Sequence, residues 1–150
     1  FFGTLRQNLM LGHPHASEAE LIQALRISGA ITMVQQDAAS LDRLINEGGR
    51  GLSGGQRQMV LLSRLIVRNP QIVLLDEPTA SMDEQLEAWV IRQLQQWLTG
   101  RTLILVTHRP ALLNLVDRIV VMENGKIIAD GPRDSLLKQA QNNSNVASIA

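Results

Sequence analysis

The sequence predicts an α/β protein built on a parallel sheet, with a helical block ahead of it. Three observations point there. Two continuous apolar runs, Ile72 to Leu75 and Thr102 to Thr107, read as strands buried on both faces. Helical patterns lie between and after them, giving the strand–helix alternation of a doubly wound sheet. The first seventy residues carry helix-start signals and helical apolar spacing instead.

Taken in order, Ser17-Glu18-Ala19-Glu20 is a capping box, followed by Leu21, Ile22, Leu25 and Ile27 at helical spacing. A second helix is expected from Ile31 to Asp37, and one further turn over Leu41 to Ile45. The glycine-rich segment Glu47 to Gly51 reads as a loop. Ser53-Gly54-Gly55-Gln56 is a second capping box, opening a helix to about Arg68 with Met59, Leu62, Leu65 and Ile66 on one face. Asn69-Pro70 stops it. After the strand at 72–75, Ser81-Met82-Asp83-Glu84 opens a helix carrying Leu86, Val90, Leu94 and Trp97, which Thr99-Gly100 ends. After the second strand comes a short helix, Pro110 to Val116. Strands at Arg118 to Met122 and Lys126 to Ala129 are joined by Asn124-Gly125, the pair preferred in a type I′ hairpin turn. Gly131-Pro132 introduces a last helix through Leu136 and Leu137. The expected organisation is a helical unit over 1–70, a sheet-bearing unit over 71–138 and a frayed tail over 139–150.

Composition narrows the classes. The 150 residues include 14 basic and 14 acidic side chains, so the net charge is zero and there is no electrostatic footprint for nucleic acid. With no cysteine, neither a disulfide framework nor a thiolate metal site is available. No run approaches the roughly 20 apolar residues of a membrane span. The chain opens on Phe1-Phe2-Gly3-Thr4, which reads as a start inside a longer protein.

The chemistry gathers at strand ends. Asp76-Glu77 closes the first buried strand, and open α/β sheets bind ligands at the carboxyl ends of their strands. Strand alternation puts the two carboxylates on opposite faces, free for different tasks. Asp76 suits the water shell of Mg²⁺, a hard cation, and Glu77 suits polarising an attacking water. His108, after the second strand, is placed to meet a terminal phosphate. Ser53, Gly54 and Gly55 stand at a helix N-terminus, where bare N–H groups and the helix dipole favour an anion. A plain helix cap would satisfy the same residues, and Gln56 either closes that cap or reaches a ligand.

Two further patterns carry little weight. Gly49-Arg50-Gly51-Leu52-Ser53-Gly54 fits a dinucleotide-binding spacing, but no strand is expected before Gly49. His13-Pro14-His15 offers too few ligands for a metal. Trp89 and Trp97 on one helix are packing residues.

Leu52 to Gln56, Ile72 to Glu77, Ser81-Met82-Asp83 and His108 together resemble the nucleotide-binding domain of ABC transporters. They match the signature motif, the Walker B strand with its glutamate, the D-loop and the switch histidine, in that order. The resemblance implies a partial P-loop NTPase core with a helical signature subdomain, covering Phe1 to about Leu137. Phe1 to Asn8 resembles the stretch after the Q-loop of exporters, and Glu47 the acidic position of their x-loop. Leu52 to Leu65 and Thr107-His108-Arg109-Pro110 most resemble bacterial type I secretion ATPases. The implied ligands are ATP and Mg²⁺. Glu77 and His108 would be catalytic; Ser53, Gly54, Gly55, Gln56 and Asp83 would be nucleotide-binding, the first three across a dimer, with Asp83 linking the two sites.

The implied partners are a second ATPase domain and the transporter's transmembrane domain, with secretion adaptor and outer-membrane proteins, at the cytoplasmic face of a bacterial inner membrane. Another exporter, of lipid, peptide or drug, a non-catalytic binding piece, and a soluble ATPase of DNA repair or translation are the alternatives. No Gly-x-x-x-x-Gly-Lys-Ser/Thr sequence is present, so the Walker A loop is missing. In the family the Walker A strand runs between the His108 strand and the Arg118 to Met122 strand. Its absence leads to two expectations: a gap in the sheet with unpaired backbone, and no ATP hydrolysis by these 150 residues alone.

Overall fold

A computed structural model of the chain describes residues 2–35 and 40–147, with side chains through residue 140. Its contacts divide into two compact units, residues 1–107 and 108–150. The division falls after the second strand of the parallel pair, whereas the sequence places it near residue 70. The helix that follows the first of those strands packs on the helical block, and this places residues 71–107 in one unit with residues 1–70.

In the first unit, β1 (Gly3–Thr4) leads into α1 (Leu5–Leu9), capped by Thr4 and Gln7 in a reciprocal box. A 3₁₀ turn follows at Met10–Gly12. The helix α2 (Glu18–Ser28) starts at the expected box, with Ser17 and Glu20 both engaged. Then α3 spans Ile31–Gln35; the rest of the helix expected to Asp37 lies outside the described residues. The turn expected over Leu41 to Ile45 is a 3₁₀ turn at Ser40–Asp42, followed by β2 (Leu44–Ile45). The two strand residues pair antiparallel with Gly3 and Thr4. Local spacing could not reveal that pairing, because its partner lies about forty residues away.

The helix α4 (Gly54–Arg68) is capped by Ser53 and ended by Asn69 in a left-handed conformation. Met59, Val60, Leu62, Ser63, Ile66 and Val67 are its buried residues. Leu65, expected on that face, is half-buried. From α4 the chain enters β3 (Ile72–Asp76), then α5 (Glu84–Trp97), then β4 (Thr102–Val106). The pair β3–β4 is parallel, with Ile72 opposite Thr102 and Asp76 opposite Val106. The core gathers Leu5, Leu9, Leu21, Leu25, Val73, Val90 and Leu94, all at or near zero exposure. Packing of α2 on α4 and α5 closes it.

The parallel pair departs from expectation on one face. Val73 and Leu75 are buried, but Ile72, Leu74, Ile104 and Val106 are each more than half exposed. Strand alternation puts these four on one side, and no described element of this unit covers them. The apolar run marks two faces fit for burial, and only one is covered here.

In the second unit, a 3₁₀ helix at Pro110–Leu115 precedes β5 (Arg118–Glu123) and β6 (Lys126–Pro132), an antiparallel pair. The turn has φ of 48° at Asn124 and 74° at Gly125. Positive φ at both central residues is the type I′ requirement. Arg118 grips Asp130 through two bonds of 2.7 and 2.6 Å across the pair. That bidentate contact holds the Asp130 carboxyl below its ordinary range and raises Arg118. Last, α6 (Arg133–Ala147) packs on both strands and continues where a frayed tail was expected from residue 139. Residues 133–147 contain no glycine or proline to stop it.

Among the described residues the strands form three two-stranded sheets, two antiparallel and one parallel. No described helix is long and apolar enough to cross a membrane.

Candidate functional site

The first unit brings together the start of α4, the end of β3 and the turn joining β3 to α5. At the start of α4, the Ser53 hydroxyl accepts from the Gln56 N–H at 3.1 Å, and the Gln56 carboxamide accepts from the Ser53 N–H at 2.9 Å. Gln56 thus closes the capping box, one of the two roles the sequence allows it. The Ser53 hydroxyl still has its own proton to donate, and Ser53 is exposed.

At the end of β3, Asp76 is exposed and Glu77 half-buried. Glu77 has φ of 44°, a left-handed conformation uncommon outside glycine. Strand alternation therefore stops at Asp76, and the expected opposite-face arrangement of the pair does not carry over to Glu77. Its N–H donates to the Val106 carbonyl at 2.9 Å, so β4 still holds its backbone. Its carboxylate accepts from the Thr107 hydroxyl at 3.1 Å. A non-glycine residue in this region costs of order 1–3 kcal/mol, and such strain clusters where a side chain must be aimed.

The turn after Glu77 is tightly determined. The Ala80 N–H reaches the Glu77 carbonyl at 3.2 Å, and the Met82 N–H reaches the Thr79 carbonyl at 3.0 Å. Thr79, fully buried, donates to the buried Glu87 carboxylate. Gln58, on α4, donates to the Glu77 carbonyl at 3.0 Å and accepts from the Ser81 N–H at 2.9 Å. Asp83 then caps α5 through the Leu86 N–H at 2.9 Å.

The start of α4 and this turn also touch directly. A Cβ at Gly55 would meet the Ser81 carbonyl oxygen at 2.8 Å, and one at Gly54 would lie 3.1 Å from the Ser81 side chain. Bare backbone for a phosphate is one reason for these glycines; close approach of Ser81 independently demands at least Gly55.

His108 begins the second unit and is exposed; it follows Thr107 directly in the chain. Glu47 opens a 3₁₀ turn to Gly49. Contrary to expectation a strand, β2, precedes Gly49. It pairs antiparallel over two residues and opens no strand–helix–strand unit, so the dinucleotide pattern still lacks its setting.

Four residues take part in these contacts without a role expected from sequence: Gln58, Thr79, Glu87 and Thr107. Glu87 had a usable signal, a carboxylate on the stripe with Val90 and Leu94, where burial demands a partner. Nothing in the spacing distinguishes Gln58.

A family model described as ABC transporter matches residues 2–80. The chain is 36% identical over 145 residues to the leukotoxin translocation ATP-binding protein LktB of Pasteurella haemolytica-like sp. (strain 5943B), covering 97% of this chain. It is 35% identical over 134 residues to the alpha-hemolysin translocation ATP-binding protein HlyB of Escherichia coli, covering 89% of it. The chain spans 20% and 19% of the lengths of these relatives. Its structure is similar to that of a bacterial Atm1-family ABC exporter with ATP bound, with a TM-score of 0.87 and 29% identity. The match covers 93% of this chain and 24% of that one.

Proposed function

The chain belongs to the ABC transporter family, and on that premise we propose that it is the signature-bearing, carboxyl-terminal part of the ATPase domain of an exporter. The relatives are named for toxin translocation, which supports protein secretion as the work the ATPase drives. On this reading the protein sits at the cytoplasmic face of a bacterial inner membrane. It works beside its own transmembrane domain and a second ATPase domain, with adaptor and outer-membrane proteins completing the route.

The observation that carries the reading is the end of the parallel pair. There Glu77 is held in a left-handed backbone with its carboxylate fixed by Thr107, next to the exposed Asp76. Glu77 acts as general base toward the attacking water. Asp76 would hold Mg²⁺ through water. The donor set fits that ion: a single exposed carboxylate suits a cation that keeps its waters and shares phosphate oxygens. Among the described residues no group of three His, Cys, Asp or Glu makes a cage of its own. Bound there, Mg²⁺ would supply neutralisation of phosphate charge. His108 contacts the terminal phosphate and water. Ser53, through its hydroxyl proton, and the N–H groups at Gly54 and Gly55 bind the terminal phosphate of the nucleotide held by the partner domain. Gln56 keeps that helix start in shape. Asp83, next to the turn carrying Glu77, links the two sites.

The likeness to an Atm1-family exporter, not itself named for toxin translocation, leaves a second reading: an ABC exporter of other cargo, such as a lipid, peptide or drug. ATP turnover by the full-length protein tests the site under either reading. Glu77→Gln is expected to lower turnover by about 100-fold or more while ATP stays bound. Unchanged turnover would reject the role given to Glu77. Cargo is separated by assaying export of an unfolded polypeptide against stimulation of turnover by lipids and short peptides.

A further inference from the structure

Gln58 is two residues beyond Gln56 on α4, which turns its side chain about 200° around the helix axis. Gln56 is committed to the capping box on its own helix. Gln58 faces the turn after β3 and grips it at both ends. Its Nε2–H donates to the Glu77 carbonyl at 3.0 Å, and its Oε1 accepts from the Ser81 N–H at 2.9 Å. A single planar carboxamide therefore spans the turn. The same turn presses on the start of α4, where Gly55 leaves no room for a methyl group beside the Ser81 carbonyl. The far side of the turn is anchored by the buried Thr79–Glu87 bond. Immediately past Ser81 stand Met82, buried, and Asp83, the cap of α5.

We infer that Gln58 is a positioning residue that makes the start of α4 and the Glu77 turn move as one body. The inference rests on the functional reading above and deepens it. On that reading, Ser53, Gly54 and Gly55 meet one nucleotide while Glu77 acts on the other. A rigid tie between them inside one chain transmits the state of one site to the other. When a phosphate draws in the start of α4, the Glu77 carbonyl and the Ser81 N–H are carried with it. Gln58 touches no nucleotide; it acts through the backbone of Glu77 and Ser81.

The test uses the full-length protein with two variants. Gln58→Met keeps the side-chain length and removes both bonds. Gln58→Glu keeps an acceptor for the Ser81 N–H and sets a carboxylate against the Glu77 carbonyl. Hydrogen exchange of the Ser81 amide is expected to quicken about tenfold in Gln58→Met, as for loss of one net hydrogen bond, and to stay near wild type in Gln58→Glu. Amides of Val90 and Leu94 in α5 should keep their protection in both, showing that the fold is intact. In both variants kcat is expected to fall about tenfold with KM for ATP within about twofold of wild type, as for a residue that aligns the reacting groups without binding substrate. Unchanged Ser81 exchange in Gln58→Met would overturn the tie. Unchanged kcat alongside quickened exchange would overturn the coupling, as would a loss confined to KM. Undiminished turnover in Glu77→Gln with Gln58 intact would overturn the reading of the site and the coupling with it, while Ser81 exchange judges the tie separately.

Discussion

At Gly55 there is no room for a single methyl group. The Ser81 carbonyl lies 2.8 Å from where a Cβ would stand, and it is backbone, so no side chain can swing away to make room. Gly55→Ala should therefore push α4 and the Glu77 turn apart, at a cost of about 1–3 kcal/mol for an overpacked contact. A fall in thermal midpoint together with lost ATP turnover is the expected result, and a wild-type midpoint would contradict the close approach. Thr107 offers a milder test. Its hydroxyl donates to the Glu77 carboxylate at 3.1 Å. Thr107→Val removes that donor with little change of shape and should cost about 0.5–1.5 kcal/mol of alignment, a several-fold loss in kcat. Steady-state kinetics of the full-length protein would check it.

Elements are held to one another by buried polar contacts as well as by the leucine core. Ser28 in α2 and Ser63 in α4 are both fully buried, with their hydroxyls 2.7 Å apart. Each hydroxyl also bonds the backbone, Ser28 to the Leu25 carbonyl at 3.2 Å and Ser63 to the Met59 carbonyl at 2.8 Å, so replacing one removes the bond between the helices without leaving the other hydroxyl unsatisfied. Ser63→Ala is expected to cost about 0.5–1.5 kcal/mol, with Ser28→Ala/Ser63→Ala costing less than the sum of the two single changes. Denaturant unfolding would reveal that non-additivity. In the hairpin β5–β6 the Asp130–Arg118 contact gives a dependence on pH. Asp130 has its pKa lowered by Arg118, so its contribution is full above the ordinary carboxylate range and lost as pH falls through the lowered value. Both side chains are solvated, so the effect is small and sensitive to salt. Amide protection of β5–β6 should weaken on acidification in wild type and do so less in Asp130→Asn.

For the molecule as a whole, the exposed apolar face of Ile72, Leu74, Ile104 and Val106 bears on how the chain behaves in solution. An apolar strand face of that kind, with unpaired sheet edges, invites association. The 150-residue chain by itself is expected to self-associate or to melt without a sharp transition. A monomeric sedimentation profile with a cooperative melt would contradict this. The sequence made much of the architecture legible because its signals were local. Ser17, Ser53 and Asn124-Gly125 announce their own caps and turn, and the apolar runs announce β3 and β4. What it hid depends on distant partners: the pairing of Leu44–Ile45 with Gly3–Thr4, the left-handed backbone of Glu77, and the grip of Gln58. Of the candidate site, the residue types at α4 and at the end of β3 were readable, but the contact between those two places was not.

The measurement that tests the central claim most directly pairs two inactivating changes, Ser53→Arg and Glu77→Gln, in mixed dimers of the full-length protein. If the start of α4 serves one nucleotide and Glu77 the other, dimers carrying the changes on different subunits retain one complete site. They should turn over ATP, while dimers carrying both changes on one subunit, beside a wild-type partner, should not. Equal turnover in the two arrangements would contradict the account.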